Sequence, residues 1–404
     1  MTDTLRVGID GRTLEAPRTG VGRYVFELCR ALDACLPQAE FVVYAREPVE
    51  LPVKSPRWTL RTERTPAARR LRNIGWLKMR VARLARDDAL SVFWATAALL
   101  PARRLRVPTV STVFDLNAWV VPETMPASHR IAMRALLPRD VTRADVVTAI
   151  SHGTASRLAA TFGARVSAVV PPAVGEAFTP ASDAERKRVR DRYGLRGPFL
   201  LAVGTWEPRK NLALLVDAFV HGLRDGTLHG QRLALVGARG WKDADLARRV
   251  AAAAGDGAVV PLGFVPDADL PALYSAATAF VFPSRYEGFG IPVLEARACG
   301  ATIVAADVPE IREAGGEEAT YVPPRLTELR AALAAAAGGE LPRSRDRGPP
   351  WSWLDSARVL ADVLRRAAAG GSARRVEHGG TVGDARHARD DERALVRGEQ
   401  PAPR

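Results

Sequence analysis

Residues 279–300 read AFVFPSRYEGFGIPVLEARACG, and the order of chemistry within them sets the reading of the whole chain. Ala279-Phe280-Val281-Phe282 is a short apolar run of the kind that forms a buried strand in a parallel sheet. A glutamate, Glu287, follows, and then a tight turn, Gly288-Phe289-Gly290. A helix opens at Ile291 and Pro292, where proline is tolerated because the first amide has no intrahelical partner. Glu295 falls one turn further on. Free amides at a helix start, two glycines and two carboxylates suit a ligand that is anionic at one end and rich in hydroxyls elsewhere. A nucleotide diphosphate-sugar has that character. The plainer alternative is a strand–turn–helix unit in which Glu295 is a solvated acid favoured by the helix dipole.

Upstream, GTWEPRKNL at 204–212 has the same grammar: it leaves an apolar run and opens a helix. Gly204 marks the turn, and Arg209 and Lys210 fall at the carboxyl end of a strand. There they could neutralise a diphosphate, the electrostatic task that divalent ions perform elsewhere. An exposed basic pair in an ordinary loop is the alternative.

The rest of the chain repeats this alternation. Runs at 5–10, 41–45, 90–94, 109–114, 146–149 and 166–170 read as strands in the first half. Runs at 199–203, 232–236, 258–261, 279–282 and 301–305 read as strands in the second. Pro171-Pro172 breaks the pattern as a linker would. Strands alternating with helices in two blocks predict an α/β protein of two Rossmann-like, doubly wound domains with parallel sheets. Ligands of such sheets bind at the carboxyl ends of the strands, so the two domains should face one another across a cleft. The expected boundaries are 1–172, 173–350, a final helix at 351–369 and a disordered tail at 370–404, rich in Gly, Arg, Asp and Pro.

The 404 residues, 47% apolar and 25% charged, suit a soluble globular enzyme of two domains. No apolar run reaches the roughly 18–20 residues of a membrane helix, and the opening residues lack a secretory pattern. Three cysteines without metal-ligand spacing fit a reducing cytoplasm, and six scattered histidines suggest no zinc. The net charge of +13 is compatible with nucleic acid, but no nucleic-acid motif accompanies it. An anionic membrane surface, anionic small ligands or a merely arginine-rich proteome explain it as well.

Other segments carry weaker signals. Thr19-Gly20-Val21-Gly22 is a glycine turn before a helix, where backbone can approach a phosphate or sugar. It is neither GxGxxG nor a P-loop. Asp243-Ala244-Asp245 and Asp267-Ala268-Asp269 could form a metal–diphosphate site, but both precede helical patterns and read better as caps. The segment 57–86 sets seven basic residues from Arg69 to Arg86 around an apolar set that includes Trp76, as a membrane-surface helix would. An ordinary domain helix with a solvated arginine face is the alternative.

Taken together, the chain resembles family 4 of the retaining glycosyltransferases, of GT-B fold and mannosyltransferase-like branch. The likeness covers most of residues 5–368 and is most specific in Glu287-x7-Glu295 within EGFGIPVLEARACG. It extends to GTWEPRKNL, LGFVPDADLPALYSAA at 262–277, ADVVTAISHGTASRLAATFG at 144–163, DGRTLEAPRTGVGRY at 10–24 and PWSWLDSA at 350–357. The resemblance implies that Glu287 contacts donor-sugar hydroxyls beside the Phe289, Gly290 and Ile291 backbone, and that Glu295 binds the ribose. It implies that Arg209 and Lys210 hold the leaving diphosphate and that Gly20 and Gly22 approach the donor phosphate or acceptor. The base would lie near Gly263, Phe264 and Val265. No cofactor and no divalent metal are expected, and retention would follow from front-face attack.

Val113-Phe114-Asp115-Leu116 departs from the family, many of whose members have His-Asp there, so Asp115 is the candidate substitute. A phenylalanine can neither donate a hydrogen bond nor carry charge. The implied activity is transfer of a hexose, foremost mannose from GDP-mannose, to a lipid-linked oligosaccharide or cell-surface polysaccharide. The implied setting is the cytoplasm, at the inner membrane face. A silent sugar-nucleotide binder and a sugar-nucleotide epimerase of the same fold are the alternatives.

Overall fold

A computed structural model describes residues 4–15, 20–254, 257–345 and 351–370. Of the tail expected at 370–404 all but Gly370, and of the glycine turn Thr19, lie outside the described residues. The first sheet has seven parallel strands: β1 (Arg6–Asp10), β2 (Glu40–Ala45), β3 (Trp58–Thr62), β4 (Val92–Ala95), β5 (Thr109–Val113), β6 (Val146–Ala149) and β7 (Ala168–Val169), in the order β3-β2-β1-β4-β5-β6-β7. The second has six: β8 (Phe199–Val203), β9 (Arg232–Val236), β10 (Val259–Gly263), β11 (Ala279–Phe282), β12 (Ile303–Ala306) and β13 (Thr320–Val322), in the order β10-β9-β8-β11-β12-β13. Each order reverses once, between β1 and β4 and between β8 and β11. Such reversals are where doubly wound sheets open a crevice for ligands.

The helices that matter here are α1 (Gly20–Cys35), α2 (Ala127–Arg143), α3 (His152–Phe162), α4 (Asp183–Arg192), α5 (Leu212–Arg224), α6 (Ala244–Ala254), α7 (Leu270–Ala276), α8 (Ile291–Ala298), α9 (Pro309–Gly315), α10 (Leu326–Ala337) and α11 (Trp353–Ala368). Ser151 caps α3 by accepting from the Thr154 amide, and Gly163 closes it in the left-handed region. Helix α11 returns to the first domain. Trp351 Nε1 donates to the Pro172 carbonyl at 3.0 Å and Ser356 Oγ to that of Pro171 at 2.7 Å. The Trp353 ring meets Tyr24 of α1 edge-on at 5.9 Å.

Three expectations need correction. Gly20 and Gly22 do not precede the helix; they are its first turn, Gly20 exposed and Gly22 buried. The segment 57–86 is not one amphipathic helix: it contributes the edge strand β3 and then a run of short helical turns. Its apolar side chains, Trp76, Leu77 and Val81, are fully buried in the first domain's own core. Two of its cations are held as well, Arg80 by Glu63 at 2.8 Å and Lys78 by Asp140, while Arg70, Arg72, Arg83 and Arg86 are exposed. Most of the apolar face that a membrane-surface helix would offer is therefore spent on the fold, with Met79 left 66% exposed. The Asp-x-Asp aspartates precede their helices, but their carboxylates do other work: Asp243 pairs with Arg239 at 2.5 Å. Asp269 sits at the start of α7 without a capping bond and accepts from Tyr193 Oη at 2.7 Å and Arg188 at 2.9 Å.

Candidate active site

Strands β8 and β11 are paired neighbours, so the loops leaving their carboxyl ends lie side by side at the reversal point of the second sheet. The Asn211 side-chain Nδ2 donates to the Pro283 carbonyl at 3.2 Å, and the Arg285 main-chain amide to the Arg209 carbonyl at 2.9 Å. Asn211 takes the left-handed conformation that its short polar side chain tolerates, and this turns the chain from the Pro208–Lys210 turn into α5. In this way the cations of one sequence stretch and the carboxylate of the other meet.

Glu287 is 6% exposed. Its Oε1 accepts from Lys210 Nζ at 2.7 Å and its Oε2 from Arg209 Nη1. Burial alone would push this carboxyl up, but Arg209 and Lys210 outweigh it and hold the group at about 2. Lys210 is pushed below the usual lysine value, because burial exceeds what Glu287 returns. Arg209 reaches further, with Nη2 to Glu207 at 2.5 Å and Nη1 to the Tyr286 carbonyl at 3.0 Å. Its Nε is buried with no partner among the described residues, a donor that an anionic ligand would satisfy. Gly204 takes φ +154° and leaves no Cβ in the way of the Lys210 stem, which passes 3.4 Å from that position. Asp115 faces this cluster from the other domain: its charge helps to raise the Arg209 pKa, while its Oδ1 accepts from the Asn117 amide at 3.0 Å.

The Gly288-Phe289-Gly290 turn is pressed against the first domain. Ser151 Oγ donates to the Gly288 carbonyl at 2.7 Å, and the Leu116 amide donates to Tyr286 Oη at 2.9 Å. A Cβ at Gly288 would lie 2.1 Å from the Phe114 carbonyl oxygen. Gly288→Ala must therefore part the two walls. A displacement of that order near reacting groups costs about 100-fold in kcat/KM, and initial-rate kinetics alongside a far-UV spectrum test it. Undiminished turnover in a folded variant would show that the wall contact is dispensable.

Glu295, the fifth residue of α8, does not reach the Glu287 cluster. It is 4% exposed, accepting from Tyr274 Oη at 2.9 Å and from Arg23 Nη1 of α1 at 2.6 Å. Arg23 also pairs with Asp267, so one guanidinium joins the first domain to two acids of the second. Burial pushes the Glu295 carboxyl up to about 7 against the pull of Arg23 and the Tyr274 hydroxyl. Phe264 is 79% exposed, whereas Val265 and Phe289 are buried. Gly290 starts α8 at φ +117°, and Ile291 packs on the core beneath it. Sequence reasoning assigned nothing to Arg23, Tyr274, Tyr286 or Glu207. Arg23 lies inside the TGVGRY stretch and Tyr274 inside LGFVPDADLPALYSAA, but no spacing rule joins either to Glu295.

Two facing parallel sheets, with a charged site at the reversal of one and a wall supplied by the other, are the architecture of the GT-B fold. The match to sequence families makes this specific. The model described as Glycosyltransferase Family 4 matches residues 18–178, and that described as Glycosyl transferases group 1 matches residues 197–338. The chain belongs to the family 4 glycosyltransferases. It is 35% identical over 228 residues to O-antigen chain mannosyltransferase B of Escherichia coli, covering 56% of this chain and 59% of that protein. It is 32% identical over 314 residues to a D-inositol 3-phosphate glycosyltransferase of Frankia alni, covering 70% of this chain and 74% of that one. The match to the serotype-specific mannosyltransferase WbdA of Escherichia coli spans only 29% of that protein, so the chain covers less than two thirds of both mannosyltransferases. Among solved structures, sucrose-phosphate synthase from Thermosynechococcus elongatus superposes with TM-score 0.62 at 19% identity, covering 98% of this chain and all of that one. WaaG, a glycosyltransferase involved in lipopolysaccharide biosynthesis, superposes with TM-score 0.60 at 17% identity, covering 91% and 98%.

Proposed function

We propose that the protein is a retaining hexosyltransferase that moves mannose from GDP-mannose to a lipid-linked oligosaccharide or cell-surface polysaccharide. We place this work in the cytoplasm at the inner membrane face; no helix among the described residues is long and apolar enough to cross a membrane. The observation that carries the reading is Glu287 seated between Arg209 and Lys210 at the carboxyl ends of adjacent strands. The mannosyltransferase names of the relatives favour the sugar.

The donor diphosphate lies against Lys210 and the unpartnered Arg209 Nε, which take up the negative charge that develops on the leaving group. Glu287 keeps lone pairs free beyond those the two cations use, and with these it accepts from hydroxyls of the sugar beside the Phe289 and Gly290 amides. The ribose binds Glu295, the base lies over Phe264, and the Gly20–Gly22 turn approaches the phosphates. In front-face transfer the C1–O bond to phosphate breaks as the C1–O bond to the acceptor forms. The acceptor proton passes to the departing phosphate oxygen, so no pair of flanking carboxylates is required. No divalent metal takes part in this scheme, because two fixed cations stand where one would act.

A second reading rests on Phe114, whose ring packs edge-on to Tyr24 at 5.0 Å and offers no proton or charge: a silent binder of sugar nucleotides. Consumption of donor in the presence of acceptor separates the two. For the donor itself, a thermal-shift panel should show GDP-mannose raising Tm by several degrees, because a ligand of the folded state alone stabilises it. A shift with UDP- or dTDP-sugars and none with GDP-mannose would overturn the mannose assignment.

A further inference from the structure

The excess of positive charge is not absorbed by the cleft between the domains. Part of it lines a second cavity of about 780 Å³ in the second domain. Its walls are one face of α4, the Gly194–Gly197 turn that leads into β8, the Ser275–Thr278 turn that leads into β11, and Arg343. Both turns enter strands at their amino ends, so the cavity lies at the sheet edge opposite Glu287.

The chemistry of this cavity is one-sided. Five cations, Arg186, Lys187, Arg190, Arg196 and Arg343, face two acids, Asp183 and Asp191. Those acids pair with Arg186 and Lys187 on the exposed side of α4, where Asp183 is 95% and Asp191 66% exposed, and such pairs hold their partners weakly. Arg190 and Arg343 have no carboxylate partner among the described residues. Arg190 donates to the carbonyls of Gly197 and Ala276 at 3.1 and 3.0 Å. Arg343 donates to those of Gly300 and Ser275 at 2.9 and 2.8 Å. Main-chain carbonyls fix the two guanidinium groups in place without neutralising them. Arg186 adds an Nε that is buried with no partner among the described residues. Burial, and after it the nearby Arg186, pushes Arg343 below the usual arginine value.

We infer that this cavity binds a phosphate-bearing ligand through Arg186, Arg190 and Arg343, with Arg196 at its rim. Guanidinium forks held in place match phosphate oxygens in pairs. A soluble polyphosphate and the headgroup of an anionic lipid share this chemistry.

Calorimetric titration of the full chain with inorganic triphosphate tests the inference. Wild type should show two binding events, one at this cavity and one at the cations of the donor site. Arg186→Gln/Arg343→Gln should weaken one event at least tenfold and leave sugar transfer unchanged, whereas Lys210→Ala should remove the other. Arg196 is exposed and its side chain makes no hydrogen bond or ion pair among the described residues, so Arg196→Glu repeats the test with little risk to the fold. Flotation with phosphatidylglycerol vesicles identifies the source. Binding lost in these variants assigns a lipid headgroup; loss of triphosphate binding alone assigns a soluble ligand. Titrations of Arg186→Gln/Arg343→Gln and Arg196→Glu that match wild type overturn the site. Failure of Lys210→Ala alone would count against the donor reading and not this one.

Discussion

Glu287→Ala should reduce sugar transfer by about 100- to 1,000-fold, the range for removing one preorganised polar group at a reacting centre. It should also destabilise the second domain by about 3–5 kcal/mol, the usual cost of breaking a buried ion pair from one side. Both effects have one cause. With the carboxylate gone, Arg209 and Lys210 face each other in a buried place without their shared counter-ion. Lys210, already pushed down by burial, would lose its proton more readily. The diphosphate would then meet one cation where it now meets two. Residual activity in the variant should therefore rise as pH falls and Lys210 recharges. Glu287→Gln keeps the volume and separates charge from packing: it should recover part of the stability and little of the activity. Initial rates and thermal unfolding measured side by side decide the matter. Wild-type transfer by either variant would remove Glu287 from the mechanism.

The parts of this arrangement that the sequence revealed are those encoded by neighbours along the chain. Strands β6, β8, β9 and β11 are compact apolar runs bounded by glycine, proline or polar residues, and their spans are as read from the sequence. Strand β3, WTLRT, escaped because it is a half-exposed edge strand, and three-residue β13 because it is too short for a period. Helix α2 carries Pro138 inside and has little apolar stripe. Helix α4 is polar on nearly every side, although Ser182 and Glu185 form a capping box that would have located its start. The Glu287 cluster was legible because both of its halves are strand-end loops and the reversal rule brings such loops together. The partner of Glu295 was not. Arg23 is 272 residues away on another domain, and only the packing of two domains brings it to that carboxylate.

That pairing leads to a pH dependence with two opposite signs. The folded chain holds the Glu295 carboxyl up at about 7, well above the ordinary carboxylate range, so the fold favours its protonated form. Between about pH 4.5 and 7 the folded state keeps this proton while the unfolded chain has released it. Stability from this group is thus full at acid pH, declines as pH rises to about 7, and is level beyond. Under the proposed ribose contact the demand is reversed, since the carboxylate form accepts from both ribose hydroxyls. Nucleotide affinity should then climb up to tenfold per pH unit below 7 and flatten above it. Arg23→Ala removes the attraction that restrains the shift, so burial acts with less opposition and both inflections should move to higher pH. Glu295→Gln should abolish both slopes, and subtracting its profile from wild type cancels every other titrating group. Melting curves without ligand and GDP titrations from pH 5.5 to 8.5 on the three proteins provide the comparison. Identical inflections in wild type and Arg23→Ala would mean that the guanidinium does not govern Glu295. An affinity slope that survives in Glu295→Gln would mean that the ribose binds elsewhere.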